Sequence, residues 1–228
     1  VNLLPKIIDS SFGGNENMSS QLPGYEAGFT ASPRDVLYSH DGIITVGIVV
    51  DGDKSIDGTS PTQTYDLRAG WLMGRITATG RWTPCKRTRT KSASSGGESS
   101  EAGDYTIVPV DDASPFRVGD VISVGNDANL TITNVNYLTN MITVNDPIAF
   151  GGDEIVAAND GSANCRGVLL DFVRLRNDDN SAARHRSGTL LVQGMVNSSL
   201  LLGDLATVRL DTSAKLTGIR FTDEYGLS

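Results

Sequence analysis

The chain has 228 residues, 39% of them hydrophobic but only 6% aromatic, with 25 glycines and a formal net charge of −8. The length suffices for one large or two small cores at about 100–150 residues per domain. The acidic balance repels nucleic-acid phosphates and no wide basic face interrupts it. No run of about 18 apolar residues is present to span a bilayer, so neither nucleic acid nor a membrane is an expected partner. Few rings, many glycines and abundant Val, Ile and Thr predict an all-β protein of short strands and frequent turns. No positively charged start followed by an apolar core and a small-residue cleavage site is read at the beginning.

Residues 1–35 hold Pro5, Pro23 and Pro33 among scattered apolar residues without a sustained period, which predicts an extended N-terminal arm. Its apolar cluster, Leu3, Leu4, Ile7 and Ile8, precedes a polar stretch and needs cover, either on its own domain or on a partner. Each of the four would contribute about 1.5–3 kcal/mol on full burial, before ordering costs. Residues 43–50, IITVGIVV, are β-branched and nearly continuous, as in a strand buried on both faces or lying at an oligomer interface. The acidic turn that follows, DGDKSIDG, has closely spaced Asp, but Ile56 stands where a helix-loop-helix calcium loop needs Gly and Thr62 where it needs Glu, so no metal site is expected.

Residues 67–84, LRAGWLMGRITATGRWTP, read as a strand bounded by turn residues. Leu72, Gly74, Ile76, Ala78 and Gly80 alternate with Met73, Arg75, Thr77 and Thr79. KRTRTK and SASSGGESSEAG follow, and residues 87–103 are expected to be a flexible basic and Ser-rich linker. Segments at 105–110, 121–124, 130–135, 141–144 and 148–150 are each too short for a helix and are divided by turn residues, with a hairpin turning at Leu138 to Asn140. They predict a small five-stranded β-barrel over residues 104–157, inserted into a discontinuous core made of residues 36–86 and 158–228. Cys85 and Cys165 are too few for a disulfide framework or a structural zinc, and either two reduced thiols or one bridge fits them.

Several of these segments together resemble the lambda-type head decoration, or cement, proteins of tailed bacteriophages. The pattern Leu-x-x-Gly-x-x-Leu-Gly-x-Ile-Thr-x-Thr-Gly is met by Leu67, Gly70, Met73, Gly74, Ile76, Thr77, Thr79 and Gly80, with Met73 at the usual Leu. Asp160-Gly161-Ser162-Ala163 and then Gly167 to Asp171, with Leu170 in it, look like that family's acidic turn and Gly-Val-Leu-Leu strand. TLLVQGMV, containing Gly194, and Gly218-Ile219-Arg220-Phe221 look like its later elements. The inserted barrel, the linker and the arm depart from it. The resemblance implies a β-rich decoration-protein core and a structural virion protein made in the bacterial cytoplasm. It also implies a homotrimer on the outer surface of the expanded capsid, with N-terminal arms reaching onto major capsid subunits and with neighbouring trimers in contact.

Catalysis is not expected. His40 and His185 are the two histidines and neither lies in a His-Glu-x-x-His helix. No Gly-x-Ser-x-Gly elbow and no phosphate loop occur, so no catalytic, cofactor-binding or metal-binding residue is assigned. Asp111–Asp112 and Asp178–Asp179 are adjacent carboxylates that on a strand would face apart and in a loop would be solvated. The alternative expectation is a receptor- or carbohydrate-binding module of a virion fibre or bacterial surface protein, with the barrel as its binding part. The barrel's rings number only Tyr105, Phe116, Tyr137 and Phe150.

Overall fold

A computed structural model describes residues 36–59, 66–92, 105–176, 185–210, 216–223 and 226–227. The protein is all-β, with 53% of the described residues in strands and 5% in helix. The strands in chain order are β1 (Leu37–Val50), β2 (Leu72–Arg75), β3 (Trp82–Pro84), β4 (Arg87–Arg89), β5 (Tyr105–Pro109), β6 (Val121–Val124) and β7 (Asp127–Asn136). They continue with β8 (Met141–Ile148), β9 (Ile155–Ala158), β10 (Cys165–Leu169) and β11 (Arg186–Asn197). A 3-10 turn (Ser198–Leu200) and one short helix, α1 (Leu205–Arg209), precede β12 (Ile219–Asp223) and β13 (Gly226–Leu227). The arm, including Leu3, Leu4, Ile7 and Ile8, lies outside the described residues.

The core sheet runs β1-β3-β2-β10-β11-β12-β13, and β1 also pairs with β11. Along β1 the antiparallel register with β11 sets Val46 opposite Leu190 and Val50 opposite Arg186, while Val50 also meets Trp82 of β3, so the sheet curls back on itself. Two apolar clusters flank it. Met73, Leu169, Leu190, Val50 and Trp71 belong to one, and Leu72, Val168, Leu191, Cys85 and Cys165 to the other. Neighbours Leu72 and Met73 point to opposite faces, as strand geometry requires, and both are buried. Leu72, Gly74 and Ile76 are buried on one face with Arg75 exposed on the other, and Met73 is the exception, buried on the second face.

Residues 72–80 are not one strand. Gly80 N–H donates to the Ile76 carbonyl and Ile76 N–H to that of Arg81, which makes a turn over residues 77–79 and returns the chain as β3. Gly80 has φ +71°, a left-handed conformation that glycine adopts without a Cβ penalty. The motif is thus a β2–β3 hairpin with Met73 opposite Pro84 and Arg75 opposite Trp82.

The second sheet runs β4-β9-β6-β7-β8-β5. Its two ends meet through the Thr90–Val110 bridge, with Lys91 N–H donating to Pro109 and Asp111 N–H to Arg89, and so close a small barrel. Inside it lie Val108, Val110, Phe116, Ile122, Leu130, Ile132, Ile142, Val144 and Val156. The barrel has six strands rather than five. The expected strand at 148–150 is instead the end of β8, and β9 follows the turn after it. The sixth strand, β4, falls where a linker was expected. Thr88 and Thr90 point inward and are buried while Arg87 and Arg89 face outward, so the charges sit on the outer side of a strand. The β7–β8 turn falls at the expected place, with Asn140 at φ +52°.

The barrel is joined to the core sheet by polar contacts. Lys86, between β3 and β4, reaches Asp120 ahead of β6. Arg117 donates to the Asp53 carbonyl at 2.6 Å, and Gly58 N–H donates to Ser114 at 3.1 Å. Asp204 caps α1 by accepting from Thr207 N–H, and its other carboxylate oxygen accepts from the Thr88 hydroxyl at 2.9 Å, which ties the helix to β4.

Candidate functional site

Among the described residues, β1 is a strand left largely uncovered by the rest of the fold. From His40 to Gly47 every residue is exposed. Successive strand side chains face opposite ways, so the strand lacks cover on both faces there. Tyr38, Ile44, Val46 and Val49 are 58%, 50%, 48% and 48% exposed, and Ile43 is exposed as well. Ile44 and Val46 continue the side on which Ile48 and Val50 are buried, and Ile43 and Val49 lie on the other. A strand facing water on one side alternates apolar and polar residues, whereas this one is apolar on both. Of residues 43–50, expected to be buried on both faces or to lie at an oligomer interface, only Ile48 and Val50 are buried, and both are on one face; the others are exposed. Gly42 at φ +66° and the register shifts between Ser39 and Thr45 bend the strand at its outer end.

What this surface can do is adhere. Five half-covered apolar side chains contribute on the order of 4–7 kcal/mol when docked, before ordering costs. Together, over the two faces of the strand, they expose on the order of a few hundred Å² of apolar surface.

The motif glycines serve packing. A Cβ on Gly74 would overlap the Ser162 carbonyl, and one on Gly167 the Leu191 carbonyl. On Gly70, at φ +101°, it would lie 2.5 Å from the Leu200 carbonyl oxygen. Leu67 is fully buried and bridges Val173 across the sheet, Ile76 is buried, and Leu170 is half-buried. Thr77 sits at the hairpin turn, its N–H donating to Asp160. Gly194 N–H donates to the Gly218 carbonyl at 3.0 Å, joining the β11 and β12 segments. The hairpin, the acidic turn at 160–163 and the β10 segment, separated by the barrel in sequence, thus meet in space. Both cysteines are buried free thiols in the same apolar cluster.

Groups suited to chemistry are engaged in structure. Asp51 Oδ1 accepts from the N–H of Asp53 at 2.9 Å and of Lys54 at 3.1 Å, which closes the acidic turn. His185 Nδ1 accepts from Gly52 N–H at 3.2 Å. Ligand atoms of Asp51, Asp53 and His185 lie within 4.8 Å of one another, but Asp51 addresses Nδ1 and Asp53 addresses Nε2. The Nδ1 lone pair is already used by Gly52 N–H.

Asp57 is fully buried. Burial works to raise its carboxyl, but the Arg68 guanidinium, at 2.7 Å, and the Thr59 hydroxyl outweigh it and hold the group below its ordinary value. Asp112 goes the other way. Burial pushes its carboxyl up, aided by the negative charges of Asp204 and Asp111 and opposed by hydrogen bonds from Ser114. The solvated loop expected at Asp111–Asp112 is corrected at Asp112. Asp178–Asp179 lie outside the described residues. Val173 and Leu175 are buried, and Leu175 N–H donates to Asp66.

No family model, curated protein or solved structure matches the chain.

Among the pairs that sequence reading passed over is Lys86 with Asp120. Lys86 opens a run of four cations that read as solvated, yet its side chain is fully buried. Its partner lies 34 positions away, across the whole first part of the barrel, so no local pattern announces it.

Proposed function

We propose that this protein is a head decoration protein of a tailed bacteriophage. In this reading it binds the outer surface of the expanded capsid as a homotrimer and cements major capsid subunits against internal DNA pressure. The observation that carries it is β1: a strand apolar on both faces, open to solvent, and starting directly after the arm that holds Leu3, Leu4, Ile7 and Ile8. The motif resemblance in residues 67–80 and 160–221 supplies the class of partner, and the closely packed glycines agree with a rigid body whose work is done at its edges. Three arms on one body act at high effective concentration, so contacts that are weak singly hold together. Arms that add a strand to a sheet edge of the shell would use main-chain hydrogen bonds for affinity.

The second reading is a receptor- or carbohydrate-binding module of a fibre or surface protein. It draws on the barrel's hairpin tip, where Leu138 is 93% exposed. Sugar binding needs ring faces, however, and Phe116 and Phe150 are buried while Tyr105 and Tyr137 pack against the barrel core. Removal of residues 1–24 separates the readings. A decoration protein so truncated stays soluble and trimeric and no longer cosediments with expanded capsids. A chain that binds glycans or host cells, and binds capsids neither with nor without the arm, supports the second reading instead.

A further inference from the structure

Lys86 is a fully buried ammonium donor, and its Nζ lies 2.6 Å from Asp120 Oδ2, itself on a residue only 3% exposed. That is the separation of a direct, charge-assisted hydrogen bond. Two features set the pair apart from an ordinary ion pair. An ammonium carries three N–H donors, and Asp120 is the single hydrogen-bond partner of Nζ among the described residues, so a fully buried cation is held by one carboxylate. The carboxylate, in turn, is surrounded by donors: Oδ2 also accepts from Arg117 N–H at 2.8 Å, and Oδ1 lies 3.8 Å from Lys54 Nζ.

Both backbones are clamped. Lys86 N–H donates to Ser162 and its carbonyl accepts from Ala158; Asp120 N–H donates to Arg117 and its carbonyl accepts from Ile132. Amine and carboxyl are thus held together by the fold with little freedom left to lose, which is the condition under which intramolecular reactions gain most from proximity.

We propose that Lys86 and Asp120 condense into an intramolecular amide that welds the barrel to the core sheet. One proton passes from the ammonium to the carboxylate, giving amine and carboxylic acid. The Nζ lone pair then attacks Cγ to form the N–C bond. Arg117 N–H faces Oδ2 and the Lys54 ammonium lies on the side of Oδ1, so whichever oxygen gains charge has a donor beside it, as at a tetrahedral oxyanion. The nitrogen gives up a proton, the hydroxyl takes it, the C–O bond breaks and one water leaves; no oxidant or co-reactant is needed. Burial lowers the Lys86 ammonium's hold on its proton, although the charges of Asp120 and of the nearby Asp160 oppose this. The product suits the site: an amide nitrogen has one N–H in place of three, and the carbonyl oxygen that remains still faces a donor, Arg117 N–H or Lys54.

This proposal stands independently of the capsid reading. Its test is the intact mass of the purified, denatured full-length chain, with tandem mass spectrometry of a tryptic digest. The expected result is a chain one water lighter than its sequence, with a branched peptide joining the Lys86 and Asp120 segments. Lys86→Arg and Asp120→Ala should each restore the full sequence mass. A wild-type chain at full mass without the branched peptide overturns the proposal. So does a mass deficit that persists in both variants, because the water would then be lost elsewhere. The wild-type reading does not depend on whether either variant folds.

Discussion

Gly74 lies directly beneath the Ser162 carbonyl, so close that a Cβ at residue 74 would overlap the oxygen. This contact joins β2 to the acidic turn that follows the barrel, and it explains why glycine stands in the middle of a buried strand. Because the obstacle is backbone rather than a side-chain end, it cannot swing aside. Gly74→Ala is expected to destabilise the chain by about 1–3 kcal/mol, the usual range for overpacking. Gly47→Ala on β1, where a Cβ meets nothing within 4 Å, is the matched control and should stay within about 1 kcal/mol of the parent. Urea unfolding of both variants measures the difference.

Asp112 gives a pH-dependent test. Its carboxyl is raised in the folded state, so folding favours the protonated form, and the ionised form costs stability once pH rises above the folded value. Asp112→Asn imitates the protonated side chain and keeps an oxygen for Ser114. It should raise the melting temperature at pH 7, with the gain shrinking as pH falls through the ordinary carboxylate range. Melting curves at pH 7 and pH 4 read this directly.

Asp57 works with the opposite sign. Its folded-state value lies below the ordinary one, so the stability it lends is present above the ordinary carboxylate value and is lost as pH falls through the folded value. Arg68→Ala removes the guanidinium that outweighs burial. Arg68 is 40% exposed, so solvent screens much of the pair, and the expected loss is about 1 kcal/mol at pH 7. Melting curves of parent and variant should converge toward acid pH; a gap that stays constant would show that Arg68 acts by packing alone.

The β1 surface predicts a separation of folding from assembly. Ile44→Lys with Val46→Lys changes side chains that are about half exposed, so circular dichroism and the melting temperature of the single chain should change little. If β1 is the face on which copies meet, light scattering should report a trimer for the parent and a monomer for the variant.

Much of this architecture is legible from residue alternation. Leu130 and Ile132, or Ile142 and Val144, place one apolar residue every second position and so announce the strands of a barrel covered on one side. The same rule misreads Met73. Its sheet is covered on both faces there, so Leu72 and Met73 are both buried although they face apart. It also passes over β4, where Thr88 and Thr90 are the inward residues and the arginines draw attention to charge instead of period. The openness of β1 is hidden for a related reason: a strand covered by a partner has the same composition as one covered by its own chain. Lys86 and Asp120 are beyond any local reading, because their meeting depends on how the barrel seats on the core.

The most direct test of the central proposal is cosedimentation of the full-length protein with expanded, decoration-free capsids of its phage, alongside unexpanded shells. Saturable binding to the expanded form, lost when residues 1–24 are removed, is the predicted result. Full-length protein that stays in the supernatant with expanded capsids would contradict it.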